Sequence, residues 1–459
     1  MELNFAAVWA KMDAMNNDAG LSRKLGPFDA AMIVSGAIIG SGIFMNSSES
    51  AKFLQSSSQL LFVWIVGGFI AVLGGLCFAE LGAMFPQSGG QYVYLEKAFK
   101  PWTGFLFGWT LFSTIQTGAI AAVSYTCARF IGTFVPMSGL MTTLLAAGLI
   151  WFLSLVNFLG IRPGSIILNI FTVLKIGALF ALIAVGLFGK GPSLSPGPLF
   201  PSGFNLSLLS ALGLALMPAL FSYGGWQNLN FVGGEVKNPS RNMPLAILSG
   251  VALVVTVYIL SNFVYVRALP LEAIQGSTKL ASDAVAAMVG PWGARLVSVA
   301  IIISTFGITN VFILTGPRVY YVMAKEGAFL PLAARLHPRF QTPAASIFIQ
   351  SLWASALLLT NTYGQLLQYV TFGDWIFFAL TALALMVLRR TRPELERPYR
   401  TWGYPVVPAL FFLIAVAVVV NVYISSPLKS LAGTAIILGG LPIFYFSRRK
   451  DKRREHQPR

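Results

Sequence analysis

Two short stretches place glycine and serine inside long hydrophobic segments. The first, IVSGAIIGSGIF, covers residues 33–44, and the second, LFSYGGWQNLNF, covers residues 220–231. Glycine destabilises a helix interior, and unpaired backbone is tolerated at membrane depth only where it is buried in protein or lines a cavity. Each break frees N–H groups at the start of one half-helix and carbonyl groups at the end of the other. These opposite partial charges can hold the carboxylate and the ammonium group of a zwitterion without a charged side chain.

The composition of the chain predicts a membrane protein. Of its 459 residues, 56% are hydrophobic and 10% are charged, whereas a soluble domain carries about 25% charged residues. Such a chain cannot form a normal water-facing surface, so we expect its outer surface to contact membrane lipid. The net charge of +16 raises the alternative of a nucleic-acid-binding protein, but no polar, basic domain accompanies it. We therefore expect no nucleic-acid partner.

Twelve segments are long and apolar enough to cross a bilayer, which takes about 20 mostly apolar residues. Because twelve is an even number, both termini are predicted to lie on one side of the membrane. The predicted spans cover residues 28–53, 59–85, 100–130, 138–159, 163–189, 206–234, 243–268, 289–322, 342–361, 366–388, 405–425 and 431–447.

The basic residues predict which side carries the termini. Of the 32 Lys and Arg residues, 24 fall on the side of the termini, 7 fall on the other side, and Lys175 falls inside a span. Cytoplasmic loops are enriched in Lys and Arg. We therefore expect a multi-pass protein of the cell membrane with both termini in the cytoplasm.

The interrupted first and sixth spans each begin a group of five spans. Because five is odd, the second group must cross the membrane inverted relative to the first, and interrupted segments at matching positions of two halves indicate a transporter's binding site. The predicted units are an N-terminal tail (1–25), the first repeat (26–190), the second repeat (206–390), helices 11 and 12 (403–447) and a basic tail (448–459).

Close helix packing is an alternative explanation of the first break. Gly36 and Gly40 have the spacing of a small-xxx-small interface, which lets two helices approach closely. Packing alone does not predict a second break in the sixth span. The paired breaks therefore favour a binding site.

Four longer stretches carry a family resemblance: VSGAIIGSGIF, FAELGAMFPQSGGQYVYLEKAF, FSYGGWQNLNFVGGEVKNPSRNMPLAI and RPELERPYR. They resemble the L-type amino acid transporter family of the amino acid–polyamine–organocation superfamily, from about residue 24 to residue 447. The resemblance implies an all-α, leucine-transporter-type fold of 12 transmembrane helices: a five-plus-five inverted repeat with discontinuous helices 1 and 6, and two further helices. It also implies alternating-access transport of neutral L-amino acids. Family members are typically obligatory exchangers, and more distant relatives are proton-coupled symporters. We therefore expect a sodium-independent exchanger, with proton-coupled symport as the alternative.

The resemblance assigns binding roles around the first break. Ile38 and Ile39 would offer carbonyl groups to the substrate's amino group, and Ile43 would line the pocket. Tyr258 in span seven matches a tyrosine that can reach the carboxylate. The residues that match the family's carboxylate-binding break are Gly40, Ser41 and Gly42.

The resemblance also assigns roles in the second break. Phe221 matches an aromatic gate over the substrate, while Ser222 and Gly224 match further contacts to the amine and the side chain. Some family members carry an aspartate at the position of Gly224, and glycine supplies no charge there. Two residues that follow, Gln227 and Asn228, are expected to influence side-chain preference.

Lys175, in FTVLKIGALF, is an ionisable residue inside a span. It lies 13 residues after Arg162, or about 20 Å along a helix, and an ionisable group at such depth indicates a functional site. By resemblance, it takes the place of a sodium ion in sodium-driven relatives and connects the first break to span eight near Ser304. A permanently charged lysine would favour exchange, one that releases its proton would support proton symport, and a structural tether is the third alternative.

Three of the acidic residues within or near spans are given specific predictions. Asp374, in TFGDWIFFAL, either faces the substrate cavity, where it would favour cationic or hydroxylated side chains, or pairs with a polar neighbour. Glu80 and Glu235 lie toward the cytoplasmic ends of their spans. We expect both glutamates to pair with Arg or Lys as loop anchors or as parts of an inner gate.

The chain offers little for catalysis or for an ion channel. Its two histidines, His337 and His456, and its two cysteines, Cys77 and Cys127, form no metal-binding or catalytic pattern. We therefore predict no enzymatic activity, no metal and no cofactor. A channel would show segments repeated around an axis or a selectivity ring, and neither is found in the sequence.

A disulfide-linked partner is also not expected. Animal members of the resembled family join a glycoprotein heavy chain through a cysteine between spans three and four. Here that loop contains IGTFVPMSG and has no cysteine. We therefore expect a stand-alone microbial member whose partners are L-amino acids and membrane lipid.

Overall fold

The computed structural model describes residues 21–188, 197–200, 205–359 and 363–445. The predicted basic tail (448–459) and most of the predicted N-terminal tail (1–20) lie outside these ranges. Within them the fold is all-α, as predicted, and Leu25 and Val236 form one isolated β-bridge.

The helices confirm the twelve predicted spans. Among the described residues, eleven helical segments are long and apolar enough to cross a membrane, and α15 is a shorter apolar helix of 16 residues at the position of span nine. The first span is divided into α1 and α2, the sixth into α9 and α10, and a π-helical turn (Leu111–Ile115) joins α5 to α6. The bounds are α1 (Pro27–Ile38), α2 (Gly42–Ala51), α3 (Ser57–Met84), α4 (Gln91–Ala98), α5 (Pro101–Thr110), α6 (Gln116–Ile131), α7 (Gly139–Phe158), α8 (Ile161–Phe188), α9 (Leu206–Tyr223), α10 (Asn228–Phe231), α11 (Pro239–Ala268), α12 (Leu271–Gly276), α13 (Leu280–Val289), α14 (Pro291–Lys325), α15 (Ala344–Leu359), α16 (Tyr363–Thr391), α17 (Val406–Ser425) and α18 (Pro427–Leu438).

The outer ends of both interrupted spans are capped. At the start of α1, the Asp29 carboxylate accepts a hydrogen bond from the Gly26 N–H at 2.8 Å. At the start of α9, the Asn205 side chain accepts one from the Leu208 N–H at 2.8 Å. Such caps pair backbone donors that have no partner within the helix. At the two breaks, by contrast, α2 and α10 begin without a side-chain cap.

The two groups of five spans pack in the manner of an inverted repeat. The second span, α3, packs against α11, which is the seventh, and α6 of the third span packs against α14, which is the eighth. These pairs join matching positions of the two repeats, an arrangement that is compatible with the pseudo-symmetry of such a fold. α17 packs against α16, outside the repeats.

One end of the bundle is held together by ion pairs. We call it the terminal face, because α1 begins there and α16 ends there. Arg318 donates to the Glu235 carboxylate at 2.8 Å, and Arg389 donates to Glu80 at 2.6 Å. The Leu25 N–H donates to the Glu235 carbonyl at 2.8 Å. These contacts confirm the predicted pairing of both glutamates with basic residues, and they join α3, α14, α16 and the segment before α1.

Candidate binding site

The first break lies between α1 and α2. α1 ends at Ile38, Ile39 leaves helical geometry with ψ at 99°, and α2 starts at Gly42. The leading N–H groups of a helix have no acceptor within that helix, so those of Ser41 and Gly42 are available to an anion. Glycine is required at the start of α2, because a Cβ on Gly42 would lie 2.5 Å from Ser222 Oγ.

The glycines of the first span have two different functions. Gly36 lies within helix α1, and a Cβ on it would lie 2.7 Å from Thr172 Oγ1 of α8. Gly40 lies in the break itself and borders the cavity described below. Gly36 therefore serves close helix packing, whereas Gly40 belongs to the candidate binding site.

Two side chains from distant helices hold the carbonyl groups of the first break. Lys175 Nζ of α8 donates to the Gly36 and Ile39 carbonyls at 2.7 and 2.6 Å. Ser304 Oγ of α14 lies 3.1 Å from the Gly40 carbonyl and 3.3 Å from the Ile39 carbonyl. Both side chains are fully buried. The end of α1 is thus stabilised by a cation and a hydroxyl group in place of helical N–H donors.

Tyr258 of α11 contacts the same end of α1. Its hydroxyl donates to the Ile38 carbonyl at 3.0 Å. A carbonyl oxygen has two lone pairs, so Ile38 keeps one for a further donor, whereas Ile39 already accepts from two side chains. Ile43 is fully buried in the apolar core.

The second break follows α9, which ends at Tyr223. Gly225 adopts φ of +131°, a conformation that favours glycine, and a Cβ on it would lie 2.5 Å from the Ala37 carbonyl oxygen. The two breaks therefore touch through backbone atoms. Side chains close the turn locally: Gln227 Oε1 accepts from the Gly225 N–H at 3.0 Å, and Asn228 Nδ2 donates to the Gly225 carbonyl at 3.0 Å.

A cavity of about 230 Å³ lies where the two breaks meet, and α6, α14 and α16 complete its wall. Of the predicted site residues, Ile39, Ile43, Lys175, Tyr258 and Ser304 do not line it. The last three lie behind the first break and hold its backbone. The predicted residues that do line the cavity are Ile38, Gly40, Ser41, Gly42, Phe221, Ser222, Gly224, Gln227, Asn228 and Asp374.

A buried amide on the third span was missed in the sequence. Gln116 Nε2 donates to the Phe312 carbonyl at 2.9 Å and to Thr315 Oγ1 at 3.1 Å, and the Thr315 hydroxyl donates to Asn228 Oδ1 at 2.8 Å. Gln116 directly follows the π-helical turn Leu111–Ile115. Such turns are frequent at functional sites, but the available sequence signal was only a cluster of polar residues within an apolar span.

Asn46 is the second missed residue of the cavity wall. Its Nδ2 donates to Ser222 Oγ at 2.9 Å, and the Ser222 hydroxyl donates to the Pro218 carbonyl at 2.9 Å. This contact joins the first turns of α2 to the last turn of α9. It links the inner ends of the two broken spans beside the cavity.

The arrangement can bind a zwitterion. The N-terminus of α2 presents N–H groups of partial positive charge, and the C-terminus of α9 together with Ile38 presents carbonyl groups of partial negative charge. Both ends meet at one cavity within a bundle of membrane-spanning helices. Interrupted helices that meet between two inverted repeats are typical of secondary transporters.

Comparison with known sequences identifies the family. A model of the amino acid permease family matches residues 25–445, and the chain belongs to this family. It is 36% identical to the b(0,+)-type amino acid transporter 1 of Homo sapiens over 93% of this chain and 88% of that protein. It is 31% identical to the serine/threonine exchanger SteT of Bacillus subtilis (93% and 97%) and 32% identical to the large neutral amino acids transporter small subunit 2 of Homo sapiens (93% and 80%). These matches confirm the resemblance seen in the motifs.

Proposed function

We propose that the protein exchanges neutral L-amino acids across the cell membrane by alternating access, independently of sodium. The observation that carries this proposal is the contact of two helix breaks at one cavity. In the proposed complex, the substrate carboxylate binds the N–H groups of Ser41 and Gly42. Its ammonium group binds the Ile38 carbonyl and the carbonyl groups at the end of α9. Phe221 covers the substrate, and Gln227 and Asn228 contact its side chain.

The names of the relatives support amino acid transport and exchange. All three are named as transporters or exchangers of amino acids, and the bacterial relative is named as an exchanger of serine and threonine. A transporter of this kind performs no covalent chemistry on its substrate. The cavity walls accordingly need to bind and release the substrate, and we propose no enzymatic activity.

Lys175 supports exchange as the mode of transport. Its ammonium group donates to two carbonyl groups of the first break. The lysine thus stabilises the broken helix without a bound inorganic ion. A lysine that keeps its charge throughout the transport cycle does not couple transport to an ion gradient. Proton symport is the alternative, in which the same lysine would release its proton during the cycle.

The proposed orientation places the terminal face in the cytoplasm. The excess of Lys and Arg on that side supports it. The Glu235–Arg318 and Glu80–Arg389 pairs join helices at the terminal face, and we propose that they form part of an inner gate. Cys77 and Cys127 are both buried, which supports a transporter without a disulfide-linked heavy chain.

Counterflow in proteoliposomes tests the proposal. Liposomes that contain the full-length protein are loaded with unlabelled serine, and the uptake of labelled serine is followed with and without sodium. We expect uptake only when serine is inside, at the same rate in both salts. Uptake driven by a pH gradient into empty liposomes would favour proton symport, and no uptake of any neutral amino acid would contradict the proposed function.

A further inference from the structure

The cavity contains one ionisable side chain that the binding of a zwitterion does not require. Among the described residues that line the cavity, Asp374 of α16 alone can carry a charge. Val370 and Phe378 lie one turn away on the same helix face, line the cavity as well, and are apolar. In the part of the chain that the structure describes, no ion pair includes Asp374. The wall thus presents a carboxylate without a countercharge.

Asp374 lies about one helical turn from the second break. Phe378 stacks on Trp226, a residue of the second break, with the ring centroids 5.2 Å apart. Residues 374 and 378 are separated by about 6 Å along the helix axis. A substrate that is held at the breaks by its α-carboxylate and α-ammonium groups would therefore have its side chain within reach of Asp374.

The energetics favour a cationic side chain at this place. Asp374 is partly buried, and a carboxylate that is removed from water is costly unless it is paired. A zwitterion is neutral overall, and its two charges are matched by the partial charges of the breaks. An additional positive charge on the substrate side chain would pair with Asp374. A four-carbon stem such as that of lysine is long enough to span roughly the 5.4 Å of one helical turn.

We infer that Asp374 determines specificity by allowing the cavity to bind L-amino acids with a cationic side chain in addition to neutral ones. The inference rests on the proposed function and extends its substrate class. The side-chain ammonium or guanidinium group pairs with the Asp374 carboxylate, while the α-groups keep their contacts with both breaks.

Competition by arginine and citrulline tests this inference. The two amino acids have the same length, but the side chain of citrulline is neutral. Each is added at increasing concentration during counterflow of labelled serine in proteoliposomes. In the wild-type protein, we expect arginine to inhibit at a concentration at least about tenfold lower than citrulline does. In Asp374→Asn, we expect this ratio to fall to about one, and in Asp374→Glu, which keeps the charge, we expect arginine to remain preferred.

The outcomes of this experiment separate failure of the specificity inference from failure of the proposed function. Equal inhibition by the two compounds in the wild-type protein overturns the inference, even if Asp374→Asn does not fold. An unchanged ratio in a transporting Asp374→Asn variant overturns it as well. Failure of serine counterflow in the wild-type protein contradicts the proposed function instead, so the two failures are distinguishable.

Discussion

The two helix breaks differ in how their backbone is held. The first is held from a distance: Lys175, Ser304 and Tyr258, from three other helices, donate to its carbonyl groups. The second is held mostly by its own residues, because the side chains of Gln227 and Asn228 close the turn around Gly225. From outside the break, the Thr315 hydroxyl donates to Asn228 Oδ1 at 2.8 Å, and Gln116 Nε2 donates to the same atom at 3.5 Å.

This difference suggests different functions for the two breaks. A backbone that is fixed by three other helices can move only together with them, whereas a locally closed turn can move as a unit. We therefore expect the first break to transmit any rearrangement of α8, α11 and α14 to the substrate. We expect the second break to pivot at Gly225, where it touches the first. The following predictions test that contrast.

Gly225→Ala is expected to have the largest effect. Its positive φ costs about 1–3 kcal/mol for other residues, and the added Cβ would overlap the Ala37 carbonyl, which is backbone and cannot rotate away. We expect serine exchange to fall by about 100-fold, a loss equivalent to roughly 2.7 kcal/mol. The initial rate of counterflow, normalised to reconstituted protein, measures it. Gly177→Ala on α8, where a Cβ meets no atom within 4 Å, is the control and should transport normally.

Lys175→Ala should have the next largest effect. It removes a donor from two carbonyl groups of the first break, and we expect exchange to fall at least about tenfold, or 1.4 kcal/mol, while the protein remains folded. Size-exclusion chromatography of the purified variant checks the fold, and counterflow checks the activity. Lys52→Ala removes a solvent-exposed ion pair with Glu49 and should have almost no effect. Normal exchange by Lys175→Ala would exclude a role for this lysine in transport.

Ser304→Ala should have a smaller effect at the same break. The Ile39 carbonyl keeps its bond to Lys175, so mainly the bond to Gly40 is lost. One hydrogen bond contributes about 1 kcal/mol, which corresponds to about a fivefold loss of exchange. The matched control is Ser298→Ala on the same helix, whose hydroxyl bonds to the Ala294 carbonyl of its own helix. Equal losses in both variants would show that the contact to the break is unimportant.

Thr315→Val should have the smallest effect, because the second break is held mostly by its own residues. The variant removes the donor to Asn228 Oδ1, which still has Gln116 at 3.5 Å. We expect the KM for serine to rise about threefold, or roughly 0.7 kcal/mol, with little change in the maximal rate. Thr309→Val, whose hydroxyl bonds within its own helix, is the control. An effect larger than that of Lys175→Ala would reverse the proposed contrast.

The spans could be predicted because their signal is local. Length and hydrophobicity place each of them within a few residues of the observed helix, and glycine and serine mark the two breaks. The start of the first break could not be predicted so closely. Gly36 stays helical and lies close to Thr172 of α8. This contact joins residues far apart in sequence, and helix propensity does not include such contacts.

The site was only partly predictable for the same reason. The breaks are predicted from glycine and serine inside apolar segments, and Phe221 is predicted from the motif resemblance. Gln116 and Asn46 were missed, since their importance comes from contacts across the bundle with Thr315 and Ser222. Whether a polar residue in a span faces the cavity, as Asp374 does, depends on the rotation of its helix, which hydrophobicity alone did not determine.

The most direct test is a cryo-electron microscopy structure of the full-length protein with bound serine. We predict that the serine carboxylate lies within hydrogen-bonding distance of the Ser41 and Gly42 N–H groups and that the ammonium group contacts the Ile38 carbonyl and the end of α9. Density for serine at another place, or continuous helical hydrogen bonding through residues 39–41 and 224–227, would contradict the account.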